Sequence, residues 1–81
     1  MNEQHPGTIQ QITGQVRSMF YLVDEPTTTL TIQVGRQTIN ARASGQLALD
    51  LRALPRGVTI CATLHDAPDD LQIIAFLLIP S

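Results

Sequence analysis

The run from Leu30 to Ala43, Leu-Thr-Ile-Gln-Val-Gly-Arg-Gln-Thr-Ile-Asn-Ala-Arg-Ala, alternates apolar and polar residues, and the alternation reflects about Gly35-Arg36. Successive side chains of a strand point to opposite faces, so a run of this kind has few alternatives to a β-hairpin. Glycine at the first of two central positions supplies the positive φ of a type II′ turn. The register that follows sets Val34 opposite Gln37, Ile32 opposite Ile39 and Leu30 opposite Ala41. One face of the ribbon is then apolar, and the other carries Thr29, Thr31, Gln33, Thr38, Asn40 and Arg42.

Strands are expected on both sides of this hairpin. From Thr8 to Val23 β-branched and aromatic residues are frequent, and apolar parity changes between Ile9 and the set Ile12, Val16, Phe20 and Leu22, with Gly14 in the middle. This reads as one long strand with a bulge or bend, Phe20 turned to the core and Tyr21 outward. Asp24-Glu25-Pro26 ends it in a turn. Beyond Ser44-Gly45, Leu47, Ala48, Leu51 and Leu54 recur at helical spacing, which predicts a short amphipathic helix over residues 46–54, closed by Pro55-Arg56-Gly57. A fourth strand places Val58, Ile60, Ala62 and Leu64 on one face and Thr59, Cys61 and Thr63 on the other. Residues 65–70 read as a loop, and Leu71 to Ile79 as a last strand, apolar on both faces except at Gln72. Residues 1–7, ending in Pro6-Gly7, read as a flexible lead, which leaves 8–80 as a single domain.

Composition narrows the function classes. Charged residues make up 15% of the chain against 43% hydrophobic, where an ordinary soluble domain is about 25% charged. The surface is therefore neutral-polar or partly apolar. The single Cys61 cannot form an internal disulfide, so stability rests on packing, shared with a partner where the chain's own core is insufficient. Five arginines, no lysine and seven acids give a net charge of −2, and any contact with nucleic acid has to be local. The N-terminus lacks a signal-peptide pattern and no apolar run approaches the ~18 residues of a membrane span, so a cytoplasmic protein without membrane contact is expected.

Reactive chemistry is not written into the chain. Its glycines are scattered at turns rather than gathered in a phosphate loop, and Cys61 between Ile60 and Ala62 reads as a small apolar residue rather than a nucleophile. His65, Asp66, Asp69 and Asp70 offer ligand types that suit a divalent ion, but they have no chelating spacing and Pro68 beside them is ordinary turn chemistry. No catalytic residue, metal or cofactor is assigned.

The order strand, strand, strand, helix, strand, strand, with a long bent first strand around Gly14 and the run Leu-Pro-Arg-Gly-Val-Thr-Ile-Cys-Ala-Thr-Leu at 54–64, resembles the OB-fold. The likeness is to single-stranded-DNA-binding and anticodon-binding OB domains. It covers residues 8–79 and implies a mainly all-β fold, a small five-stranded barrel with one short helix between strands three and four. It also implies a ligand face on strands two and three, here offering Gln33, Asn40 and Arg42, with Arg36 at the hairpin tip and Arg17 and Tyr21 nearby. Aromatic residues, on which single-strand binders stack bases, are missing from that face in this reading.

The last strand points to a different function. Ile74, Phe76 and Leu78 share a parity opposite to Leu71, Ile73, Ala75 and Leu77, so one set is expected to face outward as an interface. A non-enzymatic, OB-like binding module results, acting as a protein-interaction or oligomerising accessory subunit, with a homo-oligomer or a larger protein as partner. The alternative is an accessory protein that binds single-stranded nucleic acid on the face of strands two and three.

Overall fold

Five strands and one helix follow in the order β1 (Thr8–Tyr21), β2 (Thr27–Val34), β3 (Gln37–Ser44), α1 (Gly45–Arg52), β4 (Thr59–Ala67) and β5 (Asp70–Ile79). The computed structural model describes residues 8–67 and 70–80, so the expected lead at 1–7 lies outside the described residues. The strands form one sheet in the order β1-β2-β3-β5-β4 that closes on itself into a barrel-like ring. All neighbours are antiparallel except β3 and β5, which run parallel with Arg42 opposite Gln72. The fold is all-β with one short helix.

The central hairpin has the register expected of it. Val34 faces Gln37, Ile32 faces Ile39 and Leu30 faces Ala41. Gly35 has φ 62°, and no residue other than glycine has positive φ among the described residues, so Arg36 takes the negative φ that a type II′ turn requires at its second position. Leu30, Ile32, Ala41 and Ala43 from this ribbon join Val16, Ile60, Ala62, Leu64 and Ile73 inside the ring, with Ala48 and Leu51 of α1 closing one end. The helix spans Gly45–Arg52 rather than 46–54, packs on β2 and β3, and buries its Ala48 and Leu51.

β1 serves two neighbours. Thr8 to Gln15 pair with β4, and Gln15 to Tyr21 pair with β2. The changeover lies beside Gly14, where a Cβ would stand 2.5 Å from the Gln33 carbonyl oxygen and 2.7 Å from Cγ2 of Ile32. Only glycine lets the two backbones come this close.

The bulge is one step further on, at Arg17. Val16 pairs with Ile32 and Ser18 with Thr31, so Arg17 is the extra residue and side-chain parity switches across it. This overturns the expectation that Phe20 faces the core. Met19 packs inward against the core and Phe20 is 66% exposed. Tyr21, opposite the fully buried Thr28, is 41% exposed.

A second bulge corrects the last strand. Thr63 pairs with Ala75 and Leu64 with Ile73, which leaves Ile74 as the extra residue of β5. Ile73 is buried and Phe76, opposite buried Ala62, packs against the core, whereas Leu77, opposite Cys61, is 70% exposed. Ile74, Phe76 and Leu78 therefore do not form one outward row. Of the expected loop at 65–70, residues 65–67 and 70 are strand, because the hairpin ladder continues through Asp66 opposite Leu71 and Ala67 opposite Asp70, and residues 68–69 lie outside the described residues.

Candidate nucleic-acid interface

Cross-strand pairing arranges the outer face of β1, β2 and β3 in three rows. Gln15, Gln33 and Thr38 form one, Ser18, Thr31 and Asn40 the next, and Phe20, Thr29 and Arg42 the third. Gln72 of β5 extends the third row past Arg42. Directly paired residues on one face stand about 4.5–5.5 Å apart at Cβ, so each row is a continuous strip of side chains. Phe20 thereby brings an exposed aromatic ring into line with a threonine and an arginine, which the unbroken alternation of the sequence concealed.

The polar groups of this face hold one another in place. The Thr31 hydroxyl donates to Oδ1 of Asn40 at 2.8 Å, and Nε2 of Gln33 donates to the Gly35 carbonyl at 2.8 Å. Arg17, exposed on its bulge, donates from Nη1 to Oε1 of Gln15 at 3.2 Å, which draws its guanidinium to the outer side. Nε2 of Gln15 in turn donates to the Gly57 carbonyl at 2.9 Å. Arg36 stands exposed at the hairpin tip, and Arg42 is exposed in the third row.

Charge is segregated. β1, β2, β3 and the turn between the last two carry Arg17, Arg36 and Arg42 and not one acidic residue. The chain's acids fall outside these strands: Glu3 near the N-terminus, Asp24 and Glu25 between β1 and β2, Asp50 on the helix, and Asp66, Asp69 and Asp70 around the β4–β5 hairpin. A net charge of −2 therefore coexists with a locally cationic face.

Tyr21 is the expected site residue that the structure places elsewhere. The Arg52 guanidinium lies over its ring, 4.3 Å from the centroid, a cation–π arrangement. The same guanidinium donates to the carbonyls of Leu22, Glu25 and Thr27 and, from Nε at 2.9 Å, to the Thr28 hydroxyl. Thr28 in turn donates to the Ala48 carbonyl at 3.0 Å, which satisfies its fully buried hydroxyl on both counts. Arg52 thus ties the β1–β2 loop to α1. Its sequence signal was only a basic residue in the last turn of a helix.

The remaining candidates are dispersed. Cys61 is half-buried on the outer face of β4, between Thr13 and Leu77. His65 and Asp66 stand on β4, Asp69 lies outside the described residues, and among the described residues no three His, Cys, Asp or Glu side chains gather as metal ligands. Of the expected interface set, Ile74 and Leu78 are exposed and Phe76 is half-buried. Among the described residues no helix is long and apolar enough to cross a membrane. No protein-family model matches the sequence, and no curated protein is significantly similar to it.

Proposed function

We propose that this chain is a non-enzymatic OB-fold module that binds single-stranded nucleic acid on the outer face of β1, β2 and β3. The five-stranded ring, with its helix between β3 and β4 and its parallel contact between β3 and β5, supports the OB-fold reading. The observation that carries the functional reading is the row of Phe20, Thr29 and Arg42. An exposed ring stacks on a base, an arginine in the same strip meets the adjoining phosphate, and the hydroxyl and amide groups of Thr31, Gln33 and Asn40 line the path between. Sequence preference is weak in this reading, because stacking accepts every base and the polar groups are already partly engaged with one another.

Three arginines set the electrostatic scale. With about 0.7 counterion released per neutralised phosphate on single strands, the logarithmic salt slope is at most about −2, so binding is weak and confined to low ionic strength. The test is fluorescence anisotropy with a labelled oligothymidylate at low salt. Phe20→Ala should weaken binding by about 1–3 kcal/mol, and Arg42→Gln should lower the salt slope by roughly 0.7. Val23→Ala, which removes an exposed apolar residue outside the strips, should leave affinity unchanged. Absence of binding in low-salt buffer, or equal loss in the Phe20 and Val23 variants, would refute the assignment.

A further inference from the structure

We infer that the free edge of β5 is a homodimer interface, in which two copies of this chain pair strand to strand about a two-fold axis. β5 is paired with β4 along its whole length, but on its other side its ladder with β3 is limited, among the described residues, to Gln72 opposite Arg42. β3 ends at Ser44 and the chain turns into α1, so it cannot follow β5 any further. From Ile74 to Ile79 one edge of β5 has no ladder partner among the described residues, and every second residue there aims its N–H and C=O away from β4.

Natural edge strands are kept short, charged, proline-bearing or bulged to prevent pairing with another chain. This one has a bulge at Ile74, where the free edge begins, and Ala75 to Ile79 continue in regular register. No charge occurs between Leu71 and Ile79, and the first proline is Pro80. Ile74, Leu77 and Leu78 are 50%, 70% and 53% exposed. An unpaired backbone edge is recognised by another strand, and the apolar side chains along it, bordered by Arg42 at one end and Arg56 at the other, select a strand that is itself apolar.

A second copy meets both requirements. Antiparallel pairing about residues 76–77 sets the two apolar edges against each other. It also sends the acidic β4–β5 hairpins, marked by Asp66 opposite Leu71, to opposite ends of the joint ladder, each about 20 Å from its centre. Parallel pairing would bring those acids together. The exposed parts of Ile74, Leu77, Leu78 and Ile79 amount to roughly 350–400 Å² in each copy, and with the backbone edges the total is at most about 1,000–1,200 Å², the lower limit for a specific interface. The dimer is therefore one that dissociates on dilution. This inference uses none of the residues proposed to contact nucleic acid and stands independently of that reading.

Sedimentation velocity across concentration, combined with amide hydrogen exchange on the wild-type chain, tests it. The expected result is a monomer at about 1 μM and a dimer at several hundred micromolar, with amides between Ala75 and Ile79 slowing at least tenfold at the higher concentration. Leu77→Lys should raise the dissociation constant at least tenfold by placing like charges along the joint edge, while Leu49→Lys, which replaces an exposed leucine on α1, should not change it. If Leu77→Lys fails to fold, the exchange data on the wild type decide. A wild-type monomer at about 1 mM, a dimer whose β5 amides stay unprotected, or β5 protection that appears only with another protein or an oligonucleotide present would overturn the inference.

Discussion

Replacing Gly14 with alanine should be among the most damaging single-methyl changes this chain can undergo. The added Cβ would lie 2.5 Å from a backbone oxygen, 2.7 Å from Cγ2 of Ile32 and 2.9 Å from Cγ2 of Val34. The side-chain contacts can be relieved in part by rotamer changes, at the expense of packing around the fully buried Ile32. The Gln33 carbonyl cannot move without disturbing the β1–β2 ladder, because Gln33 is paired with Gln15, the residue where β1 passes from β4 to β2. Overpacking a core costs about 1–3 kcal/mol, and a clash against backbone belongs at or above the upper end of that range. Alanine's better strand propensity recovers only a few tenths, since the site is decided by packing. A loss of about 3 kcal/mol in a domain of this size lowers the melting temperature by roughly 12–24 °C. Urea denaturation followed by circular dichroism measures the effect directly. A midpoint unchanged within error, with unchanged slope, would show that β1 and β2 do not approach at Gly14 and that the strand does not change partners there.

Other changes probe separate parts of the argument. Gly35→Val should cost about 1–3 kcal/mol in the same denaturation assay, because φ 62° is strained for a β-branched residue although open space surrounds the position. Arg52→Ala should cost about 2 kcal/mol, and amides of the β1–β2 loop should exchange faster, because the guanidinium that gathers the Thr27 carbonyl, the Thr28 hydroxyl and the Tyr21 ring is lost. Met19→Ala should destabilise more than Phe20→Ala despite removing a smaller side chain, since Met19 packs on the core and Phe20 faces out; the reverse order in thermal melts would mean that the bulge is not at Arg17.

How much of this was legible in the sequence depended on whether each signal was local. The hairpin from Leu30 to Ala43 could be read to the residue, because period-two alternation, a two-residue turn and a glycine with the required φ all agree. The helix was readable for a similar reason, with Leu51 and Ala48 buried as their spacing implied. The two bulges were not. In β1 the even-numbered apolar residues Ile12, Val16 and Phe20 share one parity straight through Arg17, so nothing in the pattern shows that one residue is extra. In β5 both faces are apolar, and a parity switch at Ile74 leaves no trace in an alternation that does not exist. A one-residue slip moves every following side chain to the other face, which is why these two errors carried the candidate stacking residue and the candidate interface with them. The Arg52 network was illegible for another reason: its acceptors are main-chain carbonyls and a hydroxyl 24 to 30 residues away in the chain, and only the tertiary fold brings them together.

The bulges also explain how so small a ring disposes of an apolar content of 43%. Its interior is filled by about a dozen side chains, several of them alanines, at Ala41, Ala43, Ala48 and Ala62. A lumen lined with alanine is narrow, so the ring has no room for every large apolar residue on β1 and β5, and some have to remain outside. The position of each bulge decides which. At Arg17 the switch keeps flexible, unbranched Met19 inside, where it adapts to the end of the ring, and presents rigid Phe20 beside Thr29 and Arg42. At Ile74 it keeps Ile73 and Phe76 inside and presents Leu77 on the side of the sheet where β5 has only one partner. Two of the exposed apolar groups are thus placed by the bulges, while others, such as Ile9, Val23 and Leu49, are exposed elsewhere. Phe20 stands in the cationic face and Leu77 beside the unpaired edge, and the same constraint, a lumen too narrow for the chain's large side chains, supplies both of the surfaces through which this protein is proposed to act.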